Sequence, residues 1–380
     1  MRLYSGADLL CLNDAIVTRL SRCVMVSSIP FSMEQPVKQK ETGAFSLLHT
    51  DPVIMFAFDW ELHDSASAVR AILAQLPAGR SYLLVGNSWT LTKKHHLKRT
   101  KNLVDELTQR SKHLVASLMA NTFEEGIIWE SLAGTAIHCG HSALLREDCY
   151  YPISDQPKQF DAIYDGRWAN YKRHQLASQI QSLALIAVPG AMATSTTGNY
   201  SQRARAALAH ATWLKSPWEE QLEYLSAAAV NDAYNRAKVG LCLSRQEGAM
   251  FASAQYLLAG LPVVTTQNAG GRDEFFDKQF VRWAEDDPRA VADAVAELSQ
   301  LNLQPYAIRE SVLARITQHR NRLLQFIQNA IDTNNGHRGR WQSWPTDLPN
   351  KFIEPEASAN EVLRLIHQRT VDSSVAHPAP

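Results

Sequence analysis

The stretch "EGAMFASAQYLLAGLPVVTTQNAGGRDE" at residues 247–274 decides the fold. It starts with a single acid, Glu247, and continues with apolar residues at helical spacing until a glycine ends the helix. A short apolar run typical of a strand follows, and the stretch closes with Gly270, Gly271 and charged residues. The pattern predicts a helix that starts at about Ala249 and leads into a buried strand.

This helix would start at the ligand-binding edge of a sheet. The run "VGLCLS" (239–244) just before it predicts a buried strand, and open parallel sheets bind ligands at the carboxyl ends of their strands. Gly248 allows another molecule to approach the backbone closely. The free amides of a helix N-terminus attract anions such as a diphosphate. Here those amides belong to Ala249, Met250 and Phe251.

Two polar side chains on this stretch are candidates for ligand contacts. Glu247 lies just ahead of the helix and could accept hydrogen bonds from sugar hydroxyls. Gln255 lies about two turns further along and can donate as well as accept. The alternative is that Glu247 is only a helix N-terminal acid and Gln255 only a surface residue. The stretch alone leaves both interpretations open.

Composition and charge exclude several classes of protein. The 380 residues suit two domains of common size, and 45% hydrophobic and 20% charged residues are ordinary for a globular protein. Lys+Arg and Asp+Glu each number 38, which argues against nucleic-acid binding through bulk positive charge. The five cysteines are scattered without a Cys-x-x-Cys pair, which argues against a disulfide framework or zinc cage.

No segment predicts export or membrane insertion, so we expect a cytoplasmic protein. The N-terminus, "MRLYSGADLLCLNDAIVTRL" (1–20), contains Asp8 and Asp14 and lacks the long apolar core of a signal peptide. No apolar run reaches the length of a membrane span. The basic run "KKHHLKRTK" (93–101) predicts either a solvated helix face or a contact with an anionic acceptor or anionic lipid at the inner membrane face.

Short apolar runs alternate with helical patterns along most of the chain. Such apolar strands are covered on both faces, as in parallel sheets flanked by helices. In the first half, predicted strands cover 52–60, 81–87, 113–121 and 135–140, and predicted helices cover 65–76, 93–110 and 123–134. In the second half, predicted strands cover 160–166, 182–190, 239–244, 262–266 and 280–285. Further predicted helices cover 172–181, 201–211, 217–237 (broken near Ser226), 287–301 and 308–331.

The alternation predicts an α/β fold with two Rossmann-like, doubly wound domains that face each other across a cleft. A polar segment with two prolines, "YYPISDQPKQ" (150–159), predicts the linker and places the domains at 1–155 and 156–334. The tail, 335–380, is predicted to be partly disordered, above all from residue 371, and to pack back on the N-terminal domain.

A second, distant motif carries positive charge. "DGRWANYKRH" (165–174) follows a predicted strand and places Arg167 and Lys172 five residues apart at a predicted helix entry. Cations here could stabilise the negative charge that develops on a departing diphosphate. A solvated basic helix start is the alternative.

Together the two motifs resemble those of GT-B glycosyltransferases of the family-4 type, the glycosyl transferases group 1, and of a bacterial subgroup among them. The resemblance covers about 160–300. Gly166, Arg167 and Lys172 match one family motif. The other is matched at Glu247, Ala259, Gly260, Pro262, Val263, Val264, Gly270, Gly271 and Glu274. Gln255 stands where the family has a second acid, which puts the choice or affinity of the donor in question.

The resemblance implies a hexosyltransferase-like enzyme (EC 2.4) of glycan biosynthesis. It would move a sugar from a nucleotide-sugar donor to a hydroxyl acceptor with retention of configuration. Residues 156–334 would bind the donor and 1–155 the acceptor. Arg167, Lys172 and Gly166 would hold the diphosphate with the amides after Gly248, Glu247 would face the sugar, and Gln255 would contact the ribose. We expect no resident cofactor, because the nucleotide sugar is a substrate.

We also expect no metal. The chain has no Asp-x-Asp motif of metal-dependent glycosyltransferases, and His138 and His141 around Cys139 fit a strand end and loop better than a metal site. The acceptor, a glycan, a lipid-linked or a small molecule, is not identified by the sequence. Residues that could contact it follow two predicted strands of the first domain: His63, Asp64, and Asn87 to Trp89.

Two further hypotheses about the function are compatible with the sequence. The first is a catalytically inactive GT-B protein that binds nucleotide sugars as a sensor or scaffold. The second is an epimerase of the same fold. The Gln255 substitution motivates the first, and a donor-hydrolysis assay separates it from the enzyme.

Overall fold

The computed structural model describes residues 41–77, 79–132, 134–189, 198–219, 224–352 and 354–375. The N-terminal stretch on which the prediction of no signal peptide rests lies outside them. The described residues form two six-stranded sheets flanked by helices, which confirms the predicted α/β fold with two sheets.

The first sheet has the strand order β12-β1-β2-β3-β4-β5, numbered along the chain. Strands β2 to β5 are parallel, and β1 is antiparallel to both β2 and β12. Every residue of β2 and β3 is buried, as their apolar sequences require. The bounds are β1 Thr42–Thr50, β2 Val53–Phe58, β3 Ser81–Gly86, β4 Leu114–Ala120, β5 Ala136–His138 and β12 Glu354–Ser358. The helices are α1 Asp59–His63, α2 Ala68–Leu73, α3 Lys94–Arg110 and α4 Phe123–Glu130.

The second sheet has the order β11-β10-β9-β6-β7-β8, and its strands are parallel. This sheet begins at Phe160, 22 residues after the end of β5 at His138. The predicted boundary at 155/156 therefore falls between the two sheets. The strands are β6 Phe160–Trp168, β7 Leu183–Pro189, β8 Thr212–Lys215, β9 Ala237–Cys242, β10 Val263–Thr265 and β11 Val281–Trp283. The helices are α5 Asn199–Ala207, α6 Ala227–Asn235, α7 Phe251–Leu258, α8 Pro288–Gln300 and α9 Pro305–Thr333.

One prediction near the second motif is wrong. The segment 172–181 is not an α-helix but two 3₁₀ turns, Asn170–Lys172 and His174–Ala177. Arg173 between them has the left-handed conformation, with φ 56°, which an α-helix cannot contain. Its guanidinium is buried and donates to the carbonyl of Leu243 (2.7 Å), so a contact with β9 overrides the local helical pattern.

Several other helices differ from prediction in their bounds, and two of them lie near the candidate site. In the predicted helix 217–237, the helical residues among those described begin only at Ala227, where the Ser226 hydroxyl accepts from the Ala229 amide (3.2 Å). Helix α7 begins at Phe251 rather than at Ala249, with Met250 at the N-cap position.

The C-terminal part returns to the first sheet. Strand β12 pairs with β1, and the last helix, α10 Ala359–Val375, packs on α2 and β1. Because α10 reaches Val375, the first five residues of the stretch predicted as disordered are helical, and the last five lie outside the described residues. Among the described helices, none combines the length and apolar character needed to cross a membrane.

One of two apolar clusters among the described residues spans both sheets. A buried cluster extends from Phe56 and Met119 of the first sheet, through Ile316 of α9, to Leu241 of the second sheet. This core holds the carboxyl ends of β3 and β4 close to those of β9 and β10, and the candidate site lies between them.

Candidate functional site

The turn between β9 and α7 is fixed by the glycine pair at the end of the same stretch. The amide of Glu247 donates to the carbonyl of Ala269 (3.1 Å), and the amide of Gly271 donates to the carbonyl of Gly248 (2.8 Å). The two ends of the 247–274 stretch therefore lie side by side at the sheet edge.

Both glycines are required by this contact. Gly270 has φ 112°, and a Cβ there would lie 1.7 Å from the carbonyl oxygen of Glu247. A Cβ at Gly271 would lie 2.5 Å from the Cβ of Asn121 in the first sheet's loops. Only glycine lets three backbone segments meet here.

Arg272, directly after the glycines, holds the loop from inside. Its side chain is fully buried, and its guanidinium donates to the carbonyl of Ser244 (2.5 Å) and the hydroxyl of Thr265 (2.7 Å). Asp273 neutralises it (2.6 Å). Arg272 thus ties together the ends of β9 and β10. This role was not predicted from the sequence, where an arginine next to a double glycine is its only signal.

The structure brings the two predicted motifs together as an ion pair. Lys172 Nζ lies 2.5 Å from Glu247 Oε1, and each side chain is 8% exposed. Burial by itself lowers the pKa of Lys172. The nearby Glu247 carboxylate and Tyr171 raise it by more, so the pKa of Lys172 is raised. Gly166 lies beside this pair, since a Cβ there would be 3.5 Å from Lys172 Cδ.

Arg167 lies apart from this ion pair. It stands near the carboxyl end of β6 with an exposed side chain. Tyr171 lies under the Lys172 ammonium, with 5.5 Å from Nζ to the ring centroid. Of the two cations predicted for the diphosphate, Lys172 is therefore buried and neutralised and Arg167 is exposed.

The N-terminus of α7 has no side-chain cap. Met250 occupies the N-cap position and offers no acceptor to the first amides. Ser253 supports the turn instead, because its hydroxyl lies 2.7 Å from the Met250 carbonyl and 3.0 Å from the Arg272 carbonyl. Ala249 and Phe251 are partly buried, and Met250 is buried.

Gln255 lies among tyrosines rather than at the Lys172–Glu247 pair. Its buried amide is 3.1 Å from the hydroxyl of Tyr234 and 2.8 Å from that of Tyr150. The Tyr234 hydroxyl also donates to Asp165 (2.5 Å). Burial raises the pKa of Asp165, and burial raises the pKa of Tyr150 to about 12.

A loop of the first sheet closes the site from the other side. The amide of Gly248 donates to the carbonyl of Ser88 (3.3 Å), and a Cβ at Gly248 would lie 2.6 Å from that oxygen. The ring of Trp89 packs edge-on to Tyr171 (5.1 Å) and stacks on His96 (5.6 Å). Of the candidate acceptor contacts, residues 88–89 therefore lie at the site.

The remaining candidate acceptor contacts have structural partners. Asn87 is buried and accepts from the Thr100 hydroxyl (3.2 Å). His63 accepts from Arg99 (3.0 Å) at the end of α1. Asp64 accepts from the amide of Ala66 (2.9 Å), which stabilises the turn before α2.

His138 and His141 have separate roles. His141 is buried, accepts from the Asn87 amide (3.0 Å), and has a pKa lowered to about 3 by burial. His138 lies at the end of β5, with Nε2 2.8 Å from Glu274. The Nε2 of His319 lies 3.7 Å from the same carboxylate oxygen, so these three ligand atoms are close enough to consider a metal ion.

The hydrogen bonds of this histidine cluster favour a different arrangement. The amide of Gly140 donates to His319 Nδ1 (3.1 Å), so in the neutral ring the proton is on Nε2, facing Glu274. Arg322, which can only donate, lies 3.4 Å from His138 Nδ1. Nδ1 of His138 is therefore the acceptor, and the proton of this ring is also on Nε2. Both rings then present N–H groups to the carboxylate, and neither presents a lone pair to a metal.

Comparison with known proteins identifies one matching family model and several structures of similar fold. Residues 161–300 match the family model described as Glycosyl transferases group 1. Sucrose-phosphate synthase from Thermosynechococcus elongatus is similar in structure (TM-score 0.51, 16% identity, 73% of this chain and 74% of that one). Anabaena HepE in complex with UDP and glucose is also similar (TM-score 0.47, 13% identity, 66% and 71%). No curated protein sequence matches the chain.

Proposed function

We propose that this chain, which has the GT-B fold and matches the glycosyl transferases group 1 model at residues 161–300, is a glycosyltransferase that transfers a sugar from a nucleotide-sugar donor to a hydroxyl acceptor. The observation that carries this proposal is the buried pair of Lys172 and Glu247 next to the glycine turn and the uncapped N-terminus of α7. In the reaction, the bond from the sugar to the diphosphate breaks and a bond to the acceptor oxygen forms. The proton of the acceptor hydroxyl passes to the departing diphosphate, so the products are the glycosylated acceptor and the nucleoside diphosphate.

The diphosphate is held by cations and by backbone amides. Arg167 is exposed near the end of β6 and can reach a phosphate oxygen. Lys172 is buried beside Glu247 and is the second cation proposed to face the diphosphate. The amides of residues 249–251 precede and open α7, where a helix stabilises an anion. These groups offset the charge on the leaving nucleoside diphosphate without a metal.

Glu247 is proposed to face the sugar. One carboxylate oxygen is held by Lys172, and the carboxylate can still accept hydrogen bonds from sugar hydroxyls. Because Lys172 is proposed to bind the diphosphate and also contacts Glu247, the pair would link the two parts of the donor. Retention of configuration follows from the family resemblance, and we assign no enzymic nucleophile.

Gln255 is proposed to contact the ribose. Its amide is bonded by Tyr150 and Tyr234, so a ribose hydroxyl has to replace one tyrosine hydroxyl. The acceptor is proposed to enter beside Ser88 and Trp89, whose aromatic face suits a sugar ring. The exposed cations at the start of α3 suit an anionic acceptor or a peripheral membrane contact.

A thermal-shift screen tests the proposal. The protein is heated with nucleoside diphosphates of the common bases and with their sugars, because a ligand that binds only the native state raises the melting temperature. We expect one base to stabilise the protein, and its sugar conjugate to release nucleoside diphosphate in the presence of protein. No stabilisation by any member of the panel contradicts donor binding.

A second candidate is a catalytically inactive donor-binding protein. The observation in its favour is Gln255, which replaces an acid of the family motif and is occupied by two tyrosines. Prolonged incubation with the stabilising nucleotide sugar distinguishes the two. An inactive binder releases no nucleoside diphosphate over hours, whereas an enzyme shows slow hydrolysis that acceptor accelerates.

A further inference from the structure

The segment that returns from the second sheet to the first contains a strained turn. Lys351 has φ 66° and ψ 13°, and Phe352 has φ 54°. Two successive residues with side chains in the left-handed region are uncommon, because Cβ crowds the backbone there. Such strain persists only where the surroundings hold it, and it concentrates at functional sites.

Anchors on both sides hold this turn. Phe352 is almost fully buried, stacks on Trp344 (5.7 Å), and its carbonyl accepts from the Ser46 hydroxyl (2.6 Å). The side chain of Asn350 accepts from the amide of Arg146 (3.0 Å). Lys351, between these anchors, is therefore held in place rather than free to swing away.

The side chain of Lys351 lies at the start of α7. Its Nζ is 4.9 Å from the ring centroid of Phe251, the first residue of that helix. Among the charged residues, Asp165 and Arg167 of β6 act on its ammonium electrostatically. Burial lowers the pKa of Lys351, and Asp165 acts in the opposite direction.

The Lys351 ammonium has no direct counter-ion among the side chains that the structure describes. Among the residues whose side chains the structure describes, no carboxylate lies within 4 Å of Lys351 Nζ. Asp165 is engaged by the Tyr234 hydroxyl (2.5 Å), and Arg167 adds a like charge. Two cations near one helix N-terminus repel each other unless an anion lies between them.

We propose that Lys351 is a further donor-binding residue, which contacts the diphosphate opposite Arg167. The inference rests on the proposed function, because it assigns Lys351 to the same donor site. It adds a contact from outside the 161–300 domain, from the segment that leads into β12. The donor would therefore contact both the glycine turn at residues 270–271 and the segment that leads into β12.

The test uses two variants of the full chain. Lys351→Asn removes the charge, while asparagine tolerates the left-handed backbone better than other residues with side chains. Lys351→Arg keeps the charge. Affinities are measured by calorimetry for the nucleoside diphosphate that stabilises the parent and for the nucleoside of the same base, which lacks phosphate.

We expect Lys351→Asn to weaken nucleoside-diphosphate binding roughly ten- to a hundredfold, as the loss of a charged contact predicts, with nucleoside affinity and melting temperature retained. Lys351→Arg should recover part of the affinity. Parent-like diphosphate affinity in Lys351→Asn would overturn the assignment while leaving the donor site intact. A parent protein that binds none of the diphosphates would overturn the proposed function, and this inference with it.

Discussion

Lys172 Nζ lies 2.5 Å from Glu247 Oε1, and both side chains are 8% exposed. The pair joins two motifs from different parts of the sequence, and it lies at the carboxyl ends of β6 and β9 in the second sheet. A buried ion pair contributes little compared with an apolar pair of the same shape, but the removal of one partner leaves an uncompensated charge. Variants of either residue therefore change stability as well as ligand binding.

The first prediction separates these two effects. Lys172→Ala should lower the free energy of unfolding by about 3–5 kcal/mol, because Glu247 remains buried without its partner. The double variant Lys172→Ala with Glu247→Ala should lose less than the sum of the single losses. Urea unfolding of the four proteins gives the coupling energy. Additive losses would mean that the pair is not coupled in solution.

Arg167 gives the cleaner test of diphosphate binding. Its side chain is exposed, so Arg167→Ala should leave the urea midpoint nearly unchanged. Nucleoside-diphosphate affinity should fall roughly ten- to a hundredfold through the loss of a charged contact. Arg289→Ala is the matched control, because Arg289 is also exposed and lies on α8. An equal fall in both variants would indicate a nonspecific charge effect instead.

Part of this site could be predicted from the sequence because it depends on local pattern. The strand, the glycines and the order of Arg167, Lys172 and Glu247 all follow from short motifs. The pairing of Lys172 with Glu247 could not be predicted, because it depends on how a 3₁₀ turn places the lysine. The amino-acid sequence alone does not reveal which charged side chains become buried in the fold.

Other residues were missed for the same reason. Arg173 and Arg272 resemble surface arginines in the sequence, yet both are buried and bonded to the ends of β9 and β10. The left-handed conformation of Arg173 also explains why the predicted helix 172–181 does not form. The tail is predicted to pack back on the N-terminal domain, but no local pattern indicates strand β12, its pairing with β1 or the position of Lys351.

The glycine turn predicts a graded set of alanine effects. Gly270→Ala should cost at least about 1–3 kcal/mol, because φ 112° belongs to a region that residues with Cβ avoid and the Cβ would meet Glu247. Gly166→Ala should fold normally, since its Cβ would lie at an ordinary 3.5 Å from Lys172 and Tyr164. Urea unfolding compares them. Equal stability of the two variants would mean that the 270–271 backbone relaxes freely.

Acidification should destabilise the protein through three buried histidines. Burial lowers the pKa of His141 and of His174 to about 3 and the pKa of His319 to about 4, from about 6.5 in the unfolded chain. Between these values the unfolded state binds more protons than the folded state, so stability is present above pH 6.5 and falls as pH falls towards 4.

Urea midpoints at several pH values between 7.5 and 4.5 measure this loss. Each histidine contributes up to about 1.4 kcal/mol per pH unit within its window. His319→Gln should reduce the slope, because one titrating ring is removed while an amide can still accept from Gly140. A flat profile between pH 6.5 and 4.5 would show that the rings are protonated in the folded protein.

The last prediction asks whether Glu247 acts on the sugar or only supports Lys172. Glu247→Gln keeps the size of the side chain and an oxygen that can accept from the Lys172 ammonium, but it loses the negative charge. A residue that contacts the sugar should matter for transfer and little for the bare nucleoside diphosphate, which has no sugar. We therefore expect nucleoside-diphosphate affinity to be unchanged or tighter, since the charge of Lys172 is no longer neutralised, and turnover of the donor to fall. Calorimetry and donor hydrolysis on the same sample give both quantities. If affinity and turnover fall together, Glu247 serves to position Lys172, and the sugar contact has to be sought elsewhere in the site.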